Sequence, residues 1–299
     1  MPYHDTISDI AARGVETIMH CGLDLNEPYD LRHALLVVVR SPAYREATAQ
    51  AESVFARLTQ TRHEDDALAR FLNGWQTVHV TALYVSGLMV RIQEEAQAAA
   101  AAGEGSKAAL LFQAAFHTGR IIVEDTGLKG IQHGALYERF ANGIMRGSDE
   151  WKLNRHASQE CKDFRRYVEK ARLRDPVETG LLTTAASENW NTGEYTLVAP
   201  MIVNWLEKAN GFSSPDSRKL AAYAIVHAGD TELDHFTHAL KAWQLYCTAH
   251  GREAGPAQAA DVFARYAEKA APAYRALKEK LQAAQPAATV SLARRFAAG

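Results

Sequence analysis

"LARFLNGWQTVHVTALYVSGLMVRI", residues 68–92, decides the fold class. Its apolar residues recur three and four positions apart, the spacing of one helical face, whereas a half-buried strand would alternate. The same period runs through residues 10–19, "IAARGVETIM", and residues 262–281, "VFARYAEKAAPAYRALKEKL". Proline points the same way. The chain has nine prolines, and none lies between Pro42 and Pro176. Proline is excluded from helix interiors, so a span that long without one reads as helix after helix. No convincing run of alternating residues competes, and the chain reads as all-α.

Capping signals divide the pattern. Asn26 with Pro28 opens one helix, Ser41 with Pro42 opens the next, and a very long helix closes near Gly103. Further helices are predicted over 106–126, 133–146, 149–173, 177–209, 215–250 and 257–284. A short turn is expected around 209–219, and the last residues, "AAQPAATVSLARRFAAG", read as a loosely held tail. Connections this short leave no obvious domain boundary, so residues 1–299 are expected to form a single helical domain.

With 299 residues, 47% of them hydrophobic, the chain is long enough to bury a sizeable core. A net charge of −2 gives no basic surface for nucleic acid, which is not an expected partner. Cys21, Cys161 and Cys247 are few, odd in number and far apart, which suits a reducing cytoplasm better than a disulfide framework. The N-terminus "MPYHDTISDI" lacks a signal-peptide pattern. No stretch reaches the roughly 18 apolar residues of a membrane span, so a cytoplasmic protein with no membrane partner is expected.

Three stretches carry candidate chemistry. In "HAGDTELDHFTH", residues 227–238, Leu233, Phe236, Leu240, Trp243 and Cys247 define an inward stripe, with Glu232 at its edge and His235 beside it. His227, Asp234 and His238 point away from that stripe on a regular helix, and a solvated polar face is the plain reading of Asp234 and His238. One extra residue accommodated as a π-bulge near Gly229 would turn His227 toward Glu232 and His235. In "RIIVEDTGLKGIQHGALYERF", residues 120–140, Glu124 and His133 would lie on opposite sides of a regular helix. Gly127, Gly130 and Gly134, each costing roughly 1 kcal/mol relative to alanine, disfavour a regular helix there, and a break would let both side chains aim at one point. Read alone, His133 is equally a structural residue at a helix start. In "TTAASENWNTGEYTLVAPMI", residues 183–202, Glu188 and Glu194 sit in a mixed apolar segment. Either is an ordinary surface acid unless it is buried, in which case it needs a cation. Carboxylates and imidazoles without thiolate suit iron or manganese. The paired Glu-x-x-His pattern of ferritin-like bundles occurs only once, at Glu232 to His235.

Residues 123–144, "VEDTGLKGIQHGALYERFANGI", followed by residues 227–240, "HAGDTELDHFTHAL", resemble the haem-oxygenase-like diiron oxidase and oxygenase family, over roughly residues 110–245. The resemblance implies a bundle of about seven core helices with additional N- and C-terminal helices. It also implies two iron ions per chain that activate O2 as co-substrate. It carries ligand roles to Glu124 and His133, to Glu194 or Glu188, and to His227, Glu232 and His235, with no catalytic residue beyond the ligands. Two departures stand out: glutamate replaces the usual aspartate at 232, and His227 lies one residue too far away, the gap a π-bulge would absorb. Without a bulge, Asp234 becomes the better partner of His227, with His238 as a further alternate. Glu188 better matches the distance from His133 and Glu194 the distance to the turn at Gly211, and Glu194 is favoured.

The implied activity is N-oxygenation, desaturation or oxidative C–C cleavage of an amino-acid-like small molecule in natural-product biosynthesis. A homodimer and an external electron donor are compatible with it. Arg120 one turn before Glu124 is a candidate clamp for a substrate carboxylate, although an ion pair is its commoner role. His117 and Tyr195 are candidate pocket residues for which core packing is the default. The alternatives are a metal-free thiaminase-like hydrolase or cofactorless oxidase of the same fold, weakened by cysteines without a supporting motif, and a non-enzymatic helical interaction protein.

Overall fold

The computed structural model describes residues 8–23, 30–79, 82–126 and 131–282. Among these residues there is no strand, and the helical period read from the sequence becomes an all-α bundle. In chain order the helices are α1 (Asp9–His20), α2 (Asp30–Val39), α3 (Pro42–Gln60), α4 (Asp65–His79), α5 (Ala82–Ala101) and α6 (Gly105–Asp125). They continue as α7 (His133–Ile144), α8 (Gln159–Leu173), α9 (Val177–Lys208), α10 (Ser214–Leu220), α11 (Ala222–His227), α12 (Asp230–Ala249) and α13 (Pro256–Gln282). No helix of the described residues is long and apolar enough to cross a membrane.

Capping serines start four of the helices. Ser8, Ser41, Ser158 and Ser213 accept the amide hydrogens of Ala11, Tyr44, Cys161 and Asp216, satisfying donors that a helix start leaves open. Three predictions changed in outline. The segment 149–173 begins with two 3₁₀ turns, Glu150–Lys152 and Asn154–His156, and becomes α-helical only at Gln159. The very long helix predicted before Gly103 is two, α4 and α5, and residues 80–81 between them lie outside the described residues. The segment 215–250 is three helices, broken at Ala221 and again at Ala228 and Gly229. The opening signal at Asn26 and Pro28 and the C-terminal tail lie outside the described residues.

Helix α9 is the axis of the bundle. Nearly every residue from Val177 to Tyr195 is buried, because α1, α3, α5, α8, α12 and α13 pack around it. A helix apolar on only one side could not sit there, which is why its sequence shows little amphipathic contrast. Close approach depends on small residues: a Cβ at Gly193 would lie 2.4 Å from the Ile10 carbonyl oxygen of α1. Asn189 closes the same joint, donating to the Gly14 carbonyl at 2.9 Å and accepting from the Tyr44 hydroxyl at 3.2 Å.

Because the obstruction at Gly193 is backbone rather than a movable side chain, Gly193→Ala is expected to push α1 off α9. Urea unfolding should show a loss of about 1–3 kcal/mol, the usual cost of overpacking. An unchanged midpoint would show that α1 does not set the position of α9.

Candidate active site

Helix rotation sorts the acids of α9. At about 100° per residue, Glu188, Asn191 and Tyr195 fall within roughly 60° of one another, whereas Glu194 lies about 120° round from Glu188. The first three face a cavity of ≈ 230 Å³, and Glu194 does not line it. From the other side α12 contributes Glu232 and His235, one turn apart, while His227 ends α11 and His133 begins α7.

Glu188, Glu232 and His235 each offer a ligand atom within 4.8 Å of the others, and all three are buried. His235 Nδ1 lies 3.7 Å from Glu188 and 3.8 Å from Glu232, distances at which charge rather than a hydrogen bond attracts them. Burial pushes the Glu188 carboxyl up to about 7, and the nearby charge of Glu232 adds to the effect. Burial works against a charged His235, but the two carboxylates outweigh it and push the imidazole up to about 11. Glu232 also meets His227, Oε1 to Nδ1 at 2.5 Å, while its Oε2 is buried with no hydrogen-bond partner among the described residues. That oxygen has only the charged His235 ring near it, beyond hydrogen-bond reach, so a metal cation could take the place of the imidazole proton in this group. Two carboxylates with imidazole and no thiolate form a donor set suited to iron or manganese.

His227 reaches this group by a different route from the one expected. No π-bulge is present; the helix stops at His227 and restarts at Asp230. Gly229 between them has φ 126° and ψ −146°, a conformation essentially reserved for glycine. The His227 ring stacks on Tyr195 with centroids 4.5 Å apart and meets the edges of Tyr223 and His133 at 4.9 and 4.3 Å. The Tyr195 and Tyr223 hydroxyls share a hydrogen bond of 2.7 Å beside the cavity.

Other candidates fall elsewhere. Glu194, favoured over Glu188 on spacing, is fully buried and turned toward Trp75, His79, Trp190 and Tyr274, all of which donate to it. Burial alone would raise its carboxyl, but His79 and these donors bring it below the ordinary range. Asp234 and Arg120 are exposed and do not line the cavity. His117 and His238 meet each other outside it, Nδ1 to Nδ1 at 2.8 Å, each pushed below the ordinary imidazole value chiefly by burial. Glu124 sits in the last turn of α6, and its side chain lies outside the described residues. His79 lines the cavity and was passed over in the sequence, where a lone histidine four residues after Trp75 looks like core packing.

No protein-family model matches the chain, and no curated protein matches it. Among solved structures, a TenA homolog from Pseudomonas syringae pv. tomato is similar over 81% of this chain and 93% of its own, at 13% identity and a TM-score of 0.51. At this identity the likeness concerns fold alone.

Gly229→Ala is the direct test of how His227 is aimed. A Cβ there meets open space, so any cost is backbone strain, on the order of 1–3 kcal/mol in chemical denaturation. A wild-type midpoint would show that the turn does not need its left-handed backbone.

Proposed function

We propose that the cavity is the active site of a non-haem di-iron oxidase or oxygenase that activates O2 on an amino-acid-like small molecule. One observation carries the reading: the convergence of buried Glu188, Glu232 and His235 on one cavity, with a carboxylate oxygen that accepts no hydrogen bond among the described residues. Glu188, Glu232 and His235 would hold the metal, with His133 and His227 from the same cavity wall and Glu124 from the end of α6 completing the set. Bound there, iron would supply redox chemistry and open coordination positions for O2. The chain's own residues shape the rest. The Tyr195 and Tyr223 rings wall off one side and keep water away from the reacting groups. Asn191 and Gln76, which also line the cavity, offer amide groups that orient a polar substrate. A volume below the about 300–1,000 Å³ of drug-sized sites suits a small substrate. N-oxygenation, desaturation and C–C cleavage all fit such a site, with electrons from an external donor.

Protein purified from iron-supplemented cells is expected to carry two iron ions per chain and to change its absorption spectrum when the ferrous form meets O2. Glu188→Ala and His235→Ala should each weaken iron binding by more than the roughly 10–100-fold that loss of a supporting partner costs. Absence of iron, with no spectral response, would remove this reading. Chelation should also lower thermal stability, by about 2.7 kcal/mol relative to iron at 100 times its dissociation constant.

A metal-free reading of the same fold, a thiaminase-like hydrolase or cofactorless oxidase, is favoured by one feature. Glu188, raised to about 7 and facing the cavity, is matched to proton transfer near neutral pH. No cysteine lines the cavity among the described residues, which leaves that chemistry without a thiol nucleophile. Its expected signature is wild-type stability and ligand binding after exhaustive chelation.

A further inference from the structure

His79, the last residue of α4, stands at the cavity wall with only 8% of its side chain exposed, and it is tied from behind. Its Nε2 lies 2.9 Å from Glu194 Oε1. The carboxylate is held in turn by Trp75 Nε1 at 2.9 Å, Trp190 Nε1 at 2.8 Å and the Tyr274 hydroxyl. An ionised carboxylate only accepts hydrogen bonds, so it fixes a ring proton on Nε2, and in the neutral ring Nδ1 is then the acceptor. Among the described residues Nδ1 has no hydrogen-bond partner, and it is not a sealed atom. The Trp75 and Tyr195 rings, with centroids 5.9 and 5.4 Å away, restrain the imidazole plane.

We propose that His79 is a proton-accepting residue of the cavity, positioned by Glu194, and that the group it receives is the ammonium of the substrate. The inference rests on the cavity being the active site described above and names the substrate feature read at its α4 wall. Glu194 is 0% exposed, so its charge is poorly screened and draws a cationic donor toward Nδ1 in preference to a carboxylate. In the transfer, an N–H bond of the ammonium breaks and its electron pair stays on nitrogen as the amine lone pair. The proton bonds to Nδ1, and the resulting imidazolium faces the Glu194 carboxylate. The free amine is the form in which nitrogen, or the carbon beside it, is readily oxidised.

The test uses ¹⁵N-histidine NMR of the full-length protein, as purified and after chelation, with the His79 signals assigned by their loss in His79→Gln. In the resting protein the expected ring carries its proton on Nε2, facing Glu194, and none on Nδ1. Butylamine should shift the Nδ1 resonance and butyrate should not. His79→Gln should weaken butylamine binding about tenfold, the size of one charge-assisted hydrogen bond, while leaving the iron content unchanged. Glu194→Gln should lose the fixed tautomer. A proton on Nδ1 in the resting protein, a preference for butyrate at His79, or undiminished amine binding in His79→Gln would overturn the proposal. The tautomer and the amine shift are read on the wild-type chain, and a second variant, His79→Asn, supplies the assignment where His79→Gln folds poorly. An iron count of zero would remove the di-iron reading alone, because these signals are also read without metal.

Discussion

A carboxylate carried into the middle of a helical bundle has to meet donors or a cation, and besides Glu178 in its first turn, paired with Arg252, α9 carries two further buried ones, Glu188 and Glu194. The bundle satisfies them in opposite ways. Glu194 is saturated, with two indole N–H groups, a phenol and an imidazole around it. Glu188 is shared, close to His235 and to a second acid, Glu232, whose Oε2 has the His235 ring 3.8 Å away but no hydrogen-bond partner among the described residues. A saturated carboxylate positions its neighbours, whereas an under-satisfied group is where a ligand is worth seeking. That contrast divides the interior into a side where the buried acid is saturated and a side that faces the cavity.

Much of the architecture was legible in the sequence because helical period and proline placement are local properties. The cap at Ser41 and the long uninterrupted span of α9 are both visible as residue patterns. Which acid faces the cavity was not legible, since the choice between Glu188 and Glu194 depends on how α9 is rotated, and that is set by α1, α12 and α13 packing around it. A helix buried on all sides shows no polar stripe from which the rotation could be read. The route of His227 was half legible: Gly229 marked the place of a distortion, but its φ of 126° makes a full break and not a bulge. His79 gave no local signal at all, because its significance lies in Glu194, which is 115 residues away in sequence.

The likeness to a TenA homolog and the reading of the site answer different questions. A shared helical architecture can host unrelated chemistries, so function has to be argued from side chains. Here the three cysteines are buried and away from the cavity, while acids and imidazoles converge on it. The aromatic residues take two parts in that arrangement. Trp75 and Trp190 pack the core and also spend their indole N–H groups on Glu194. Tyr195 supports the stack on His227 while its hydroxyl is tied to Tyr223.

The joint between Gly193 and the Ile10 carbonyl has a mechanical consequence. With no side chain at the crossing, the two backbones interlock like a peg in a notch, and Asn189 latches the pair through the Gly14 carbonyl. Sliding α9 along its own axis would drive a neighbouring side chain into α1, so the height of Glu188 above the cavity floor is dictated by α1. Helix α1, which contributes no residue to the cavity, thereby acts as the gauge for the spacing of the side chains that do.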